Sequence, residues 1–217
     1  MKKIIPLIIF ITAGVLFGQI DQSYCFLGTF TIPLDEFSMS NDFDTEGFSR
    51  VGGGGGIEHN LTLGHPSFVL ATDACFLVNF FNKDAYEDAI PLTVEDIKGG
   101  HYFNIPILSG LKLTVPLFSP LALYGTGQVG CTILKETNLE YTVLNQSIAI
   151  EFEPAVVFAF AFGGGIIINE VASIGVRYLN CGDPEVNYEV RIGQENPISR
   201  ERQFSLSIFQ LVVGLFF

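Results

Sequence analysis

The 217-residue chain has no tryptophan, only 11 basic side chains against 23 acidic ones, and only 16% charged residues. The shortage of lysine and arginine excludes a nucleic-acid binder, because polyphosphate recognition needs a net basic face. A hydrophobic content of 48% is too high for a disordered chain. Beyond the N-terminus there is no uninterrupted run of about 20 apolar residues, so helical membrane spans are excluded despite a mean hydropathy of +0.42. The apolar content is spread in shorter pieces over a length that suits one domain.

What is present begins with a targeting pattern. Lys2 and Lys3 form a positive start, Ile4 to Phe17 an apolar stretch broken only by Pro6, Thr12 and Gly14, and small Gly18 precedes polar Gln19. The pattern predicts a cleaved secretory signal peptide over residues 1–18 and a mature domain over 19–217. Loss of the two lysines leaves 23 acidic against 9 basic residues, a formal charge of −14.

Apolar stretches then alternate with polar connections. Eight strands are predicted, over 23–33, 48–61, 67–81, 101–113, 121–134, 155–168, 171–180 and 203–217. Strands of about 9 to 11 residues suffice to cross a bilayer when tilted. Long connections (34–47, 82–100, 135–154, 181–202) alternate with short ones (62–66, 114–120, 169–170), so long and short ends fall on opposite sides. The long connections hold 19 of the 23 acidic residues. Together these features predict an all-β fold: an eight-stranded antiparallel up-and-down transmembrane β-barrel in the bacterial outer membrane, with acidic, solvated external loops.

Strand parity separates two faces. Over 67–81 one parity gives Phe68, Leu70, Thr72, Ala74, Phe76, Val78 and Phe80, expected to face lipid, and the other includes Ala71, Asp73, Cys75 and Asn79. The same argument sends Arg50 and Glu58, Tyr124 and Gln128, Arg177 and Gln210 inward. With Asp73 these make two cations and two anions in a narrow lumen, where ionised groups must be paired or hydrated. Two readings follow: a salt-bridged plug that closes the barrel, or a gate or narrow pore lined by Arg50, Glu58, Asp73 and Arg177.

The C-terminal strand is the most specific signal. Phe209, Leu211, Val213, Leu215 and Phe217 alternate to one face, Gln210 and Gly214 lie on the other, and the chain ends on an aromatic residue. It is similar to the terminal signal read by the bacterial barrel-assembly machinery. The segments Tyr102-Phe-Asn-Ile-Pro-Ile-Leu-Ser-Gly-Leu-Lys112 and Leu123-Tyr-Gly-Thr-Gly-Gln-Val-Gly130, with Phe162-Gly-Gly-Gly-Ile166 and Ser173-Ile-Gly-Val-Arg-Tyr178, resemble the small outer-membrane β-barrel (porin-like) family of Bacteroidota-type bacteria. The resemblance implies an eight-stranded barrel related to the OmpA/OmpX-type proteins, in contact with outer-membrane lipid and lipopolysaccharide. The missing tryptophan departs from it, leaving tyrosine and phenylalanine to form the interfacial girdle.

Motifs for chemistry are few. The run Gly52 to Gly56 is not followed by the Lys-Ser/Thr of a phosphate loop and is read as a site of tight strand curvature. His59, His65 and His101 show no metal-ligand spacing, and no Ser-His-acid set can be assembled, so neither catalytic residues nor a cofactor are expected. Cys25, Cys75, Cys131 and Cys181 read as small buried hydrophobes. The acidic loops suit divalent cations, such as those bridging lipopolysaccharide phosphates. The expected role is structural or envelope-interacting; the alternative is a porin-like channel or transporter for small or hydrophobic solutes. A soluble lipocalin-type barrel would need a Gly-x-Trp strand, which this chain cannot supply.

Overall fold

The computed structural model describes residues 21–40, 45–89, 94–144, 146–193 and 196–217. The expected signal peptide, and Asp42, Asp44 and Glu195 of the acidic connections, lie outside the described residues. In chain order the elements are β1 (Gln22–Leu34), α1 (Asp35–Ser38), β2 (Ser49–Thr62), β3 (Phe68–Phe81), α2 (Lys83–Ala89), β4 (Val94–Gly99), β5 (Tyr102–Phe118) and β6 (Leu121–Glu136). They continue with β7 (Leu139–Val143), β8 (Gln146–Phe152), β9 (Ala155–Ile168), β10 (Ala172–Asn180), β11 (Glu185–Ile192), β12 (Ile198–Gln203) and β13 (Ser207–Phe216).

Eight strands form a closed antiparallel barrel, β1-β2-β3-β5-β6-β9-β10-β13, in which β13 returns to pair with β1. These are the eight expected segments. The differences are at the ends: β5 runs on to Phe118, and the last barrel strand starts at Ser207 because Ile198–Gln203 belongs elsewhere.

The alternation in sequence becomes an alternation in space. On β3, Ala71, Asp73, Cys75, Leu77 and Asn79 are buried, while Phe76 and Phe80 are about half exposed at 48% and 54%. Phe158 and Phe162 on β9, Leu111 and Leu113 on β5, and Val213 and Leu215 on β13 continue this outward apolar belt. The interior is small, and glycine relieves crowding on its concave side. A Cβ on Gly54 would lie 2.0 Å from the Phe76 carbonyl oxygen, so the close approach of β2 to β3 requires glycine there.

The long connections are the main correction to the sequence reading. Expected as solvated loops, three of them (82–100, 135–154 and 181–202) instead build a second, five-stranded antiparallel sheet in the order β12-β11-β8-β7-β4. One face of this sheet is apolar: Val186 and Tyr188 of β11, Ile150 and Phe152 of β8, and Leu139 of β7 are buried. The opposite face carries Glu151, Glu185, Glu189 and Glu201, all exposed. The buried face joins Phe37, Phe48, Phe81, Tyr86, Tyr102 and Phe204 in an aromatic core continuous with the barrel interior. Phe37 stacks on Phe204 with centroids 5.9 Å apart and meets Tyr102 edge-on at 5.0 Å, geometries that aromatic quadrupoles favour. Thus the acidic residues lie largely on an ordered surface, and the barrel mouth at that end is covered by packed rings.

Candidate functional site

The lumen is where polar groups converge. Lys112 on β5 forms an ion pair with Glu58 on β2, and both side chains are below 10% exposed. Asn60, the next inward residue on β2, donates to Glu58 Oε1 at 2.9 Å and accepts from Lys112 Nζ at 3.3 Å. The Lys112 ammonium also lies 5.3 Å from the ring centre of Tyr124 and 5.7 Å from that of Phe216.

A second pair lies nearby. Arg177 Nη1 on β10 donates to Asp73 Oδ2 on β3 at 2.8 Å, and Gln128 Nε2 on β6 donates to the same oxygen at 2.7 Å. Arg177 Nε donates to Gln210 Oε1 on β13 at 2.6 Å, and its Nη2 approaches Cys75 Sγ at 3.7 Å. Register explains the convergence: Glu58 opposes Asp73, Arg177 opposes Gln210, and inward parity then sends all four side chains to the axis. The lumen therefore holds two cations and two anions, each with at least one charge-assisted hydrogen bond, as buried charges require. Beside them lies a void of about 30 Å³, lined by Glu58, Lys112, Tyr124, Thr126, Gln128 and Arg177 among others, which is room for about one water molecule.

Of the seven lumen residues expected from sequence, Glu58, Asp73, Tyr124, Gln128, Arg177 and Gln210 are brought together. Arg50 is not. It projects outward, 54% exposed, and its guanidinium lies 3.5 Å from Asp84 of α2. The cause is an irregularity in the β2–β3 ladder between Ser49 and Gly52, which breaks the parity count between Glu58 and Arg50. Lys112 supplies the second cation instead. It lay in a predicted strand and shares parity with Leu108, but leucines occupy both faces of that segment, so parity alone did not single it out.

The C-terminal strand takes the expected faces. Phe209, Leu211, Val213, Leu215 and Phe217 point outward, and Gln210 and Gly214 inward. A Cβ on Gly214 would meet Ser173 Oγ at 2.5 Å and Cys25 Sγ at 2.6 Å. Phe217 stacks on Phe26 with centroids 4.6 Å apart, and Tyr24 stacks on His59 at 4.9 Å, forming an aromatic cluster at the barrel end where β1 begins and β13 finishes. All four cysteines are free thiols, with Cys25, Cys75 and Cys181 buried. Among the described residues no group of three or more His, Cys, Asp or Glu is placed to hold a metal.

At the sheet-covered end a third buried pair sits apart from the lumen cluster. Arg202 of β12 forms an ion pair with Glu136 at the end of β6, and both are essentially inaccessible. Arg202 Nη2 also donates to the Tyr102 hydroxyl at 3.0 Å, and the guanidinium lies 5.0 Å from the ring centres of both Phe152 and Phe204. Burial works against the charge on Arg202, but the adjacent Glu136 carboxylate outweighs it and holds the pKa above the ordinary arginine value. Neither Arg202 nor Glu136 was expected as a functional residue from sequence, because their connections were read as solvent-facing.

No family model and no curated relative matches the chain. Solved structures do resemble it. OprG from Pseudomonas aeruginosa, an outer-membrane protein, is 12% identical with a TM-score of 0.52, covering 92% of this chain and 98% of its own. Neisserial surface protein A (NspA) is 8% identical with a TM-score of 0.47, covering 91% and 97%. The outer-membrane protein AlkL, studied in lipid bilayers, is 11% identical with a TM-score of 0.46, covering 93% and 92%. At such identities the likeness to OprG carries the fold and nothing finer.

Proposed function

We propose that the chain is an integral outer-membrane β-barrel protein with a closed lumen, serving a structural or envelope-interaction role. One observation carries this reading: a belt of exposed Phe, Leu, Ile and Val surrounds a barrel whose interior is polar and ion-paired, the inverse of a soluble barrel. Such a belt needs hydrocarbon around it, because an apolar patch of this extent in water promotes association. The fold shared with OprG, an outer-membrane protein, supports the same reading.

In this proposal the signal peptide directs export, and the barrel-assembly machinery of a Gram-negative envelope reads the strand ending at Phe217. Lipid and lipopolysaccharide surround the belt, and the acidic face of the five-stranded sheet looks outward, where its carboxylates suit divalent cations. Kinship with Bacteroidota-type and OmpA/OmpX-type barrels belongs to the same proposal, as does a role without catalysis. A porin-like channel or transporter for small or hydrophobic solutes is the second reading, favoured by the small void beside the lumen ion pairs.

The mature chain, purified from outer membranes in mild detergent, is expected to change gel mobility on boiling and to give no steady conductance steps in planar bilayers. A heat-insensitive band from a soluble fraction overturns the membrane reading. Steady unitary steps overturn the closed lumen and favour the channel.

A further inference from the structure

The strand β12 is held unusually. Of its six residues, five are exposed and only Arg202 is buried. It is an edge strand, paired to β11 on one side. Its one buried side-chain anchor among the described residues is a guanidinium, inserted between Phe152 and Phe204 onto Glu136 and Tyr102, beside an exposed bond from Gln203 Nε2 to the Asp183 carbonyl at 3.3 Å.

Beneath that anchor the barrel interior is incompletely satisfied. Asn104 on β5 is fully buried, yet among the described residues neither its Oδ1 nor its Nδ2 has a protein hydrogen-bond partner, and neither has Asn79 Oδ1. Register brings the two together, since Asn104 opposes Leu77 and Asn79 is the next inward residue on that strand. Buried amides without partners destabilise the state that holds them, whereas water would satisfy them. Next to this layer is buried Cys181, whose thiol donates to Thr132 Oγ1 at 3.5 Å, one inward step from Leu134, the residue opposite Asn104.

We propose that β12 is a strap over the barrel mouth, latched by Arg202 on Glu136, and that its release admits water to the Asn79–Asn104 layer. The closed state gains the buried ion pair and aromatic packing; the released state gains hydration of the orphaned amides. A strap with one buried side chain leaves by breaking that latch, the exposed Gln203–Asp183 bond and six residues of edge pairing, while the lumen pairs Glu58–Lys112 and Asp73–Arg177 stay intact. The inference goes beyond the closed-barrel reading, since it concerns the external mouth alone.

The test uses the full chain in lipid vesicles, with Cys25, Cys75 and Cys131 replaced by alanine so that Cys181 is the sole thiol. A charged, water-soluble maleimide reports its exposure, and a second variant keeping only Cys75 reports exposure of the lower lumen. Glu136→Gln weakens the latch without changing its shape, and loss of a charge-assisted bond is expected to speed Cys181 labelling by about tenfold or more. Cys75 labelling should stay unchanged and the heat-dependent gel shift should persist. An unchanged Cys181 rate, or Cys181 and Cys75 accelerating together, overturns the proposal. Should Glu136→Gln fail to fold, the native latch is tested by tethering: Glu189 opposes Ser199 across β11 and β12. A disulfide between Glu189→Cys and Ser199→Cys is expected to slow Cys181 labelling, and an unaffected rate overturns the strap.

Discussion

Replacing Arg177 by methionine tests whether the lumen cluster is a coupled electrostatic unit. The guanidinium bonds Asp73 and Gln210 and touches Cys75, and it is 5% exposed, while Asp73 is 1% exposed. Methionine fills most of the volume, so the cost is chiefly electrostatic: Asp73 is left with Gln128 and the weak Cys75 thiol as its hydrogen-bond donors, and the nearby Glu58 adds repulsion. Removing one partner of a buried pair costs about 3–5 kcal/mol. At a urea dependence of about 2 kcal/mol per molar, the unfolding midpoint should fall by about 2 M. The double variant Arg177→Met/Asp73→Asn removes the stranded charge and keeps a carbonyl acceptor for Gln128, so it should recover half or more of the loss. Urea titration of vesicle-inserted protein, read by the heat-dependent gel shift, measures both. A single variant within about 1 kcal/mol of the parent, or a double variant no more stable than the single, would refute the reasoning.

Other outcomes follow from the same geometry. Phe160→Arg places a cation on the outward apolar belt and should destabilise the vesicle-inserted barrel by about 2–4 kcal/mol in urea titration, whereas Glu189→Arg on the exposed sheet face should change it little. Gly54→Val forces side-chain atoms into the Phe76 carbonyl, so the heat-shifted band should be lost or severely reduced. Removing Phe217 deletes the ring stacked on Phe26 and the last aromatic of the terminal strand, and should lower the outer-membrane yield of folded protein on quantitative gels. Refolding the Gly54 and Phe217 variants from urea into vesicles separates a loss of stability from a loss of assembly, since refolded protein bypasses export.

The barrel was legible in sequence because period-two alternation repeats over long stretches between turns, and a one-residue slip would expose every inward side chain. The five-stranded sheet was less so. Its strands are short, and their apolar residues are diluted by carboxylates. Yet β11 does carry the signal, with Val186, Tyr188 and Val190 alternating against Glu185, Asn187 and Glu189. Segregation of acidic residues fits solvated loops, and it equally marks the exposed face of a covering sheet. In the lumen, parity worked wherever the ladder was regular. It failed at Arg50, where an irregularity intervenes, and it did not single out Lys112, whose regular strand carries leucines on both faces.

The seam between β1 and β13 constrains how the molecule comes to exist. Cys25 pairs with Phe216, and the ladder runs on to Leu34 opposite Ser207, so the first barrel strand finds its second neighbour in the last one. Closing a loop of nearly the whole chain carries a large entropic cost before any contact offsets it, which makes this step slow. Until then the unfinished sheet has two free edges and an uncovered apolar belt, the combination most prone to pairing with other chains. The arrangement that leaves the finished barrel without an edge therefore makes every shorter intermediate sticky.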